Sequence, residues 1–261
     1  MTKVVLDFIV SLLGFTFDAM TITCKNCNEF FEGNFCPNCG QAAKVHRINA
    51  LYFLHDIPHS VLHVDKGFPY TFLQLLVRPA KALQEYLAGK RARFDRPFSY
   101  VILMSAISAV VVTQVRMLIQ KLSSPGNTSG MADHQSFFSH YQGVFIFLMI
   151  PLTGLVTWLL FRKNKYNFWE HILINTYLAA QLNVLLIIIA AFSLVKFFIT
   201  GSADYSITIF VTGFMTYYAI CFSGLMYPEV KGFTLGMKLG LMCFLLASLY
   251  ITGMKVTGII H

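Results

Sequence analysis

Four cysteines near the front of the chain form two C-x-x-C pairs with eight residues between the pairs: Cys24, Cys27, Cys36 and Cys39. Four thiolates at this spacing can give one ion a closed tetrahedral shell, and a closed shell indicates a structural rather than a catalytic site. Gly33 and Gly40 can take the backbone conformations that such turns require. A module of roughly 20 residues cannot bury a core of its own, so the metal must fold it.

Zinc is the expected ion, because it is the usual metal of structural four-cysteine sites. An iron site of the rubredoxin type uses the same four sulfurs, and the spacing does not separate the two metals. Disulfides are disfavoured if these cysteines face a reducing compartment. Two further cysteines, Cys221 and Cys243, lie in apolar stretches and are interpreted as small buried side chains.

A second polar site is a hypothesis from two other groups of residues. His55, His59 and His63 recur every four residues with Asp65 nearby, although Pro58 interrupts a helix there and solvated histidines are the alternative. Glu170 and His171 stand at the start of an apolar stretch, where ionisable residues are costly to bury and often functional. A pair that reaches out to the membrane interface is the alternative for these two.

The elements that position these residues belong to a membrane protein. Of the 261 residues, 56% are hydrophobic and 12% are charged, whereas an ordinary soluble domain is about 25% charged. Five stretches are long enough to span a bilayer as helices: residues 98–115, 143–161, 172–192, 205–227 and 234–252. The segment 4–19 is shorter and interrupted, and is expected to be an interfacial helix or to precede the true start at Met20.

Positive charge predicts the orientation. Sixteen of the 20 Lys and Arg residues lie before the first predicted span, in the second loop, or in or next to the fourth loop. Such residues concentrate on the cytoplasmic side of a membrane. The cysteine module is therefore expected on the cytoplasmic side of the membrane, with His261 outside.

Between the cysteine module and the first span, residues 71–87 form an amphipathic pattern that Pro79 divides. Basic residues of this region are predicted to contact anionic lipid headgroups: Arg78, Lys81, Lys90, Arg91 and Arg93. The predicted fold is all-α: a bundle of about five transmembrane helices (98–261), amphipathic interfacial helices with a basic collar (46–97), a zinc ribbon (20–45) and an apolar segment (1–19).

The order of motifs resembles an uncharacterised family of Bacteroidota inner-membrane proteins, a domain of unknown function with an N-terminal zinc ribbon. FCPNCGQ, VDKGFPYT and RPAKALQEYLAGKRARFDRP carry the resemblance over residues 24–110, and YNFWEHILINTYLAAQ adds to it. Ala80 departs from the family pattern, which has glycine after the Arg-Pro pair. The resemblance implies membrane architecture and bound zinc, and it implies no activity.

Two classes of function follow. The favoured one is a non-enzymatic docking, scaffold or regulatory component of the membrane, with a cytoplasmic protein partner or further copies of itself. The alternative is a membrane-embedded transporter or enzyme that uses the His/Asp/Glu residues at the cytoplasmic face. Nucleic acid is not an expected partner, because residues 24–41 carry one lysine against two glutamates.

Overall fold

The computed structural model describes residues 21–54, 67–123, 132–202, 207–227, 229–230 and 232–256. Within them lie two short strands and seven helices: β1 (Ile22–Thr23), β2 (Phe30–Phe31), α1 (Phe68–Val77), α2 (Pro79–Leu87), α3 (Pro97–Ser123), α4 (Ala132–Phe161), α5 (Phe168–Thr200), α6 (Ile207–Met226) and α7 (Gly232–Val256). The segment 4–19, the three histidines 55, 59 and 63, and Asp65 lie outside the described ranges.

Four of these helices contain stretches long and apolar enough to cross a membrane: Pro97–Ser123, Phe168–Thr200, Ile209–Met226 and Gly232–Gly253. The remaining predicted span, residues 143–161, falls within the 30-residue helix α4. Its part with described side chains, Ile146–Phe161, is apolar but shorter. The prediction of a helical membrane fold with a small N-terminal cysteine module is confirmed.

Helix α5 is the centre of the bundle. Every residue from Glu170 to Val184 is buried, and α3 and α4 pack along the helix. Its second half instead exposes large apolar side chains such as Phe192 and Phe198. A helix that is apolar all round is typical of a membrane span, and here one half of it faces protein on all sides.

The predicted division of the amphipathic segment is confirmed. Pro79 is the first residue of α2, and Arg78 between α1 and α2 has a non-helical backbone with φ of −144°. Proline fits the first turn of a helix but disfavours a helical conformation in the residue before it. The chain therefore bends at Arg78. The buried face of α2, which includes Leu83 and Tyr86, packs against α6.

The cysteine module and two interhelical loops lie at the same end of the bundle. Arg47, which follows the module, donates a hydrogen bond from Nη2 to the carbonyl of Lys165 in the α4–α5 loop, at 2.6 Å. The ammonium of Lys165 in turn pairs with Glu229 of the α6–α7 loop at 3.3 Å. If helices α3 to α7 cross a membrane in alternating directions, the cysteine module and these two loops must lie on the same side, as they do here.

Candidate metal centre and its attachment to the bundle

The four cysteines stand in two turns of the same design. The Asn28 N–H donates to the Cys24 carbonyl, and the Gly40 N–H donates to the Cys36 carbonyl, each at 2.9 Å. Both donor residues have a left-handed backbone, with φ of 62° at Asn28 and 73° at Gly40. Glycine and asparagine are the residues that most readily adopt this conformation. The sequences CKNCN and CPNCG are thus two versions of one turn.

The turns bring the four sulfurs together. All four Sγ atoms lie within 4.8 Å of one another, and the Cys24–Cys39 and Cys27–Cys36 pairs are each separated by 3.6 Å. A tetrahedral zinc–thiolate site with bonds near 2.3 Å requires sulfurs about 3.8 Å apart. All four cysteines are free thiols. The residues therefore fit a four-cysteine metal site, with Cys24 and Cys36 buried and the other two half-buried.

One side of the cysteine module contacts the loop after α2. The Arg91 backbone N–H donates to Oε1 of Gln41 at 3.0 Å, and Gln41 is buried. Gly89 has φ of +102°, and a Cβ at that position would lie 3.0 Å from the side chain of Lys25 and 3.3 Å from that of Val45. The module and the loop are therefore in close packing contact.

Arg91 also holds this junction together through its side chain. Its guanidinium carbon lies 5.3 Å from the ring centroid of Tyr52 and 5.2 Å from that of Tyr86. The two tyrosine hydroxyls are 2.7 Å apart. Cation–π contacts of this kind are strongest where the cation is partly desolvated, and Arg91 is half-buried. The other four predicted headgroup residues, Arg78, Lys81, Lys90 and Arg93, are exposed.

A second junction joins the chain after the cysteine module to the start of α5. The Arg47 guanidinium donates to both carboxylate oxygens of Glu170, from Nε at 2.8 Å and from Nη2 at 2.9 Å. This hydrogen-bonded carboxylate raises the pKa of Arg47 above its usual range. The Glu170 side chain is 5% exposed and that of Arg47 is 63% exposed, so the guanidinium covers a buried carboxylate from the solvent side.

Glu170 has a further role in starting the helix. The Glu170 N–H donates to Oδ1 of Asn167 at 2.8 Å, and the Asn167 N–H donates to Oε2 of Glu170 at 2.7 Å. This reciprocal arrangement is a capping box, which satisfies backbone donors at a helix N-terminus. Nδ2 of Asn167 also donates to the carbonyl of Ile48 at 3.0 Å. The first turn of α5 thus binds residues 47 and 48 directly.

His171 points into different surroundings from its neighbour Glu170. Its Nδ1 lies 3.2 Å from the hydroxyl oxygen of Thr157, and its ring stacks on Phe222. Nδ2 of Asn175 donates to the same Thr157 oxygen at 2.9 Å, and the hydroxyl of Tyr218 donates to Oδ1 of Asn175 at 3.0 Å. Burial raises the pKa of Tyr166, whose ring meets that of His171 edge-on.

Sequence reasoning singled out Glu170 and His171 but missed what surrounds them. The N-x-x-E spacing of Asn167 and Glu170 is a recognisable capping-box signal. The partner Arg47 had no local signal, because it lies 123 positions from Glu170. Thr157 and Asn175 lie in apolar stretches. A single polar residue in such a stretch is usually a packing feature, so the sequence did not indicate a role for either.

Residues 65–109 match a family model described as a protein of unknown function (DUF3667). No curated protein and no solved structure shows a significant match. The matched region is a structural unit: a Cβ on Gly67 would lie 2.7 Å from the Asp95 nitrogen, and that N–H donates to Thr71 Oγ1 at 2.7 Å. The chain just before α1 therefore lies against the chain just before α3. Ala80, where the resemblance breaks, lies in ordinary helix within α2.

Proposed function

We propose that this chain is a multi-pass protein of a bacterial inner membrane that holds a structural zinc ion in a cytoplasmic ribbon and serves as a non-enzymatic docking, scaffold or regulatory component. One observation carries this proposal. The ribbon is fixed to one end of the bundle through Gln41 and Arg47, while Phe30 and Phe35 on the ribbon are 71% and 67% exposed. A rigidly held module with exposed aromatic side chains is suited to binding another protein.

Zinc as the ion is supported by the sulfur spacing and by the closed ligand set. Four thiolates leave no position for a substrate, so the metal's contribution is to fold the ribbon. In this role the two left-handed turn residues, Asn28 and Gly40, allow each C-x-x-C pair to present both sulfurs to one point. Iron is the competing ion, and elemental analysis separates the two.

A cytoplasmic ribbon is supported by charge. The ribbon end of the bundle carries the basic collar and the α4–α5 loop with its lysines and arginine, and basic residues concentrate on the cytoplasmic side. At the same end, α1 exposes Leu73 and Val77 next to Arg78 and Lys81. Apolar side chains beside exposed cations fit a surface that rests on anionic headgroups.

The transporter or enzyme alternative has less support among the described residues. Both carboxylate oxygens of Glu170 are engaged by Arg47, and one also accepts from the Asn167 backbone. A carboxylate used in this way stabilises structure. His171 lies in a separate buried network with Thr157 and Asn175, so the two neighbours do not act on a shared point.

Two measurements test the proposal on the full chain in lipid. Elemental analysis should give one zinc per chain, lost in the Cys36→Ser/Cys39→Ser double variant and retained in Cys243→Ser, whose thiol lies in the bundle. A photo-crosslinking amino acid at Phe30 or Phe35 in cells should give a discrete crosslinked protein species, whereas the same probe at Gln41 should crosslink within the chain. Iron in place of zinc, or no intermolecular product from either phenylalanine position, would contradict the proposal.

A further inference from the structure

Helices α3 and α5 are joined by a line of polar contacts, which we call the α3–α5 seam. Three side-chain hydrogen bonds link α5 to α3 and to the chain just before it: from Tyr177 Oη to the Asp95 carbonyl at 2.6 Å, from Gln181 Nε2 to the Tyr100 hydroxyl at 2.8 Å, and from Asn183 Nδ2 to Ser105 Oγ at 3.2 Å. The partners are 82, 81 and 78 positions apart along the chain. The separations are similar, so the two helices run in the same direction.

Asn183 has an unpaired oxygen at the third of these contacts. Its Nδ2 also donates to the Ala179 carbonyl at 3.1 Å, and a carbonyl can only accept, so the two ends of the amide are assigned without ambiguity. Asn183 is buried, and its Oδ1 has no hydrogen-bond partner among the described residues. A buried amide oxygen of this kind still requires a donor.

Ser108 has a second unpaired oxygen in the same part of α3. Its Oγ is buried and has no hydrogen-bond partner in the part of the chain that the structure describes. Hydroxyl groups within helices commonly donate to a carbonyl of the preceding turn, as those of Thr153 and Ser223 do at 3.0 and 2.8 Å. Ser108 makes no such bond. The backbone of its own helix therefore does not satisfy its hydroxyl.

The position of Ser108 on α3 directs it towards α5. Successive residues of a helix are about 100° apart, so Ser108 lies between Tyr100 and Ser105 around the axis, about 80° from the first and about 60° from the second. Both of those residues accept hydrogen bonds from α5. Ser108 is also only about 4.5 Å farther along the axis than Ser105, the residue that Asn183 contacts. The two unpaired oxygens thus belong to facing sides of one helix interface.

We infer that Asn183 and Ser108 hold one internal water molecule between α3 and α5. The water donates to Oδ1 of Asn183 and shares a second hydrogen bond with the Ser108 hydroxyl, which satisfies both buried groups. Uncharged oxygens of Asn183, Ser105 and Ser108 are too few for a metal ion, since Ca²⁺ and Mg²⁺ take about six to eight oxygen ligands. This site is independent of the ribbon and its metal.

The sign of one substitution tests the inference on the full chain in lipid nanodiscs. Ser108→Ala leaves the water and Asn183 with one partner fewer, so the midpoint of thermal unfolding should fall by about 2–4 °C, the shift for about one hydrogen bond in a chain of this size. If Ser108 contacts no water, the same change removes an unpaired buried hydroxyl, and an unchanged or higher midpoint would overturn the inference. Ser223→Ala is the matched control, because that hydroxyl donates to its own helix. An equal fall in the control would also overturn it.

A double-mutant cycle tests whether the two residues share one water. The fall in Ser108→Ala/Asn183→Leu should be smaller than the sum of the falls in the two single variants, because the same water is lost in each. Additive falls would overturn the shared site. The wild-type midpoint should be the same in sodium, potassium and choline chloride. A rise specific to one metal ion would show that a cation, and not water, occupies the seam.

Hydroxyl-radical footprinting detects the water without relying on stability. Met104 is buried one turn before Ser108, and its thioether is readily oxidised. Radicals formed from the bound water should oxidise Met104 several-fold faster in the wild type than in Ser108→Val, whose methyl groups exclude the water. Met242, which is buried in α7, should be oxidised equally in both chains. Equal oxidation of Met104 in both chains would overturn the inference.

Discussion

Arg47 and Glu170 form a bidentate ion pair, with nitrogen–oxygen distances of 2.8 and 2.9 Å, across 123 positions of the chain. The pair joins the segment that leaves the ribbon to the helix at the centre of the bundle. Because Glu170 also completes the capping box of α5, one carboxylate serves both the long-range attachment and the local start of the helix. Substitutions at Glu170 can separate these two roles.

Glu170→Gln should retain the capping box, because a glutamine at this position can still accept from the Asn167 N–H. It should lose the charge on which the Arg47 contact depends, so we expect faster proteolysis between residues 41 and 54 with little change in thermal stability. Glu170→Ala removes both roles and should lower the free energy of unfolding by about 1–2 kcal/mol more. Limited proteolysis and thermal unfolding in detergent measure the two effects. Equal stability of the two variants would contradict the separation.

The sequence predicts local features of this junction but not its long-range contacts. Pro79 marks the division between α1 and α2, and Gly33 and Gly40 have the positive φ values expected of them. Asn28, the left-handed residue of the first C-x-x-C turn, was not singled out from the sequence. Hydropathy placed the start of the α5 span at residue 172, whereas the helix begins at Phe168, because the capping box extends the helix beyond its apolar part. The Arg47–Glu170 pair could not be predicted, since no local pattern links residues so far apart.

The orientation in the membrane is predicted from the charge distribution. The ribbon lies at the same end of the bundle as the α4–α5 and α6–α7 loops, so all three should be on one side. Reporter fusions should place residue 30 and the loop at residues 162–167 inside the cell, and should place residues 123–140 and His261 outside. The physical reason is the concentration of basic residues on the ribbon side. An outside signal at residue 30 together with an inside signal at His261 would reverse the orientation. Such a reversal is expected if residues 4–19 span the membrane, whereas outside signals at both residue 30 and His261 would require an even number of crossings between them and would contradict five spans.

Substitutions of the basic-collar residues Lys90, Arg91 and Arg93 should have different effects. Arg91→Glu replaces the cation between Tyr52 and Tyr86, so we expect faster proteolysis between residues 41 and 54 with the content of bound metal unchanged. Lys90→Glu/Arg93→Glu alters only exposed charges and should leave the cleavage pattern as in the wild type. The same double variant should weaken binding of anionic lipid, measured by the lipid retained on purification, because each basic residue near such a surface contributes about 1 kcal/mol. A changed cleavage pattern in the double variant would show that exposed charge, and not the Arg91 contact, holds the ribbon.

Packing between α2 and α6 gives a prediction that does not involve the metal. A Cβ added at Gly224 would lie 2.5 Å from the Cβ of Ala80, closer than two methyl groups can approach, and Gln84 donates to the Gly224 carbonyl at the same contact, at 3.0 Å. Gly224→Ala should therefore push α2 away from α6 and lower the free energy of unfolding by about 1–3 kcal/mol. Thermal unfolding in detergent measures this loss. Gly240→Ala is the control, because nothing lies within 4 Å of a Cβ there.

The double variant Ala80→Gly/Gly224→Ala should recover most of that stability, because the methyl group is moved from one helix to the other and the contact distance is restored. This exchange also bears on the glycine that the resembling family carries after its Arg-Pro pair. If the helices pack in the same way there, a glycine at position 80 leaves room for a larger residue at position 224. A double variant no more stable than Gly224→Ala alone would show that the clash is with another part of α2, and that Ala80 is not the residue that requires glycine at position 224.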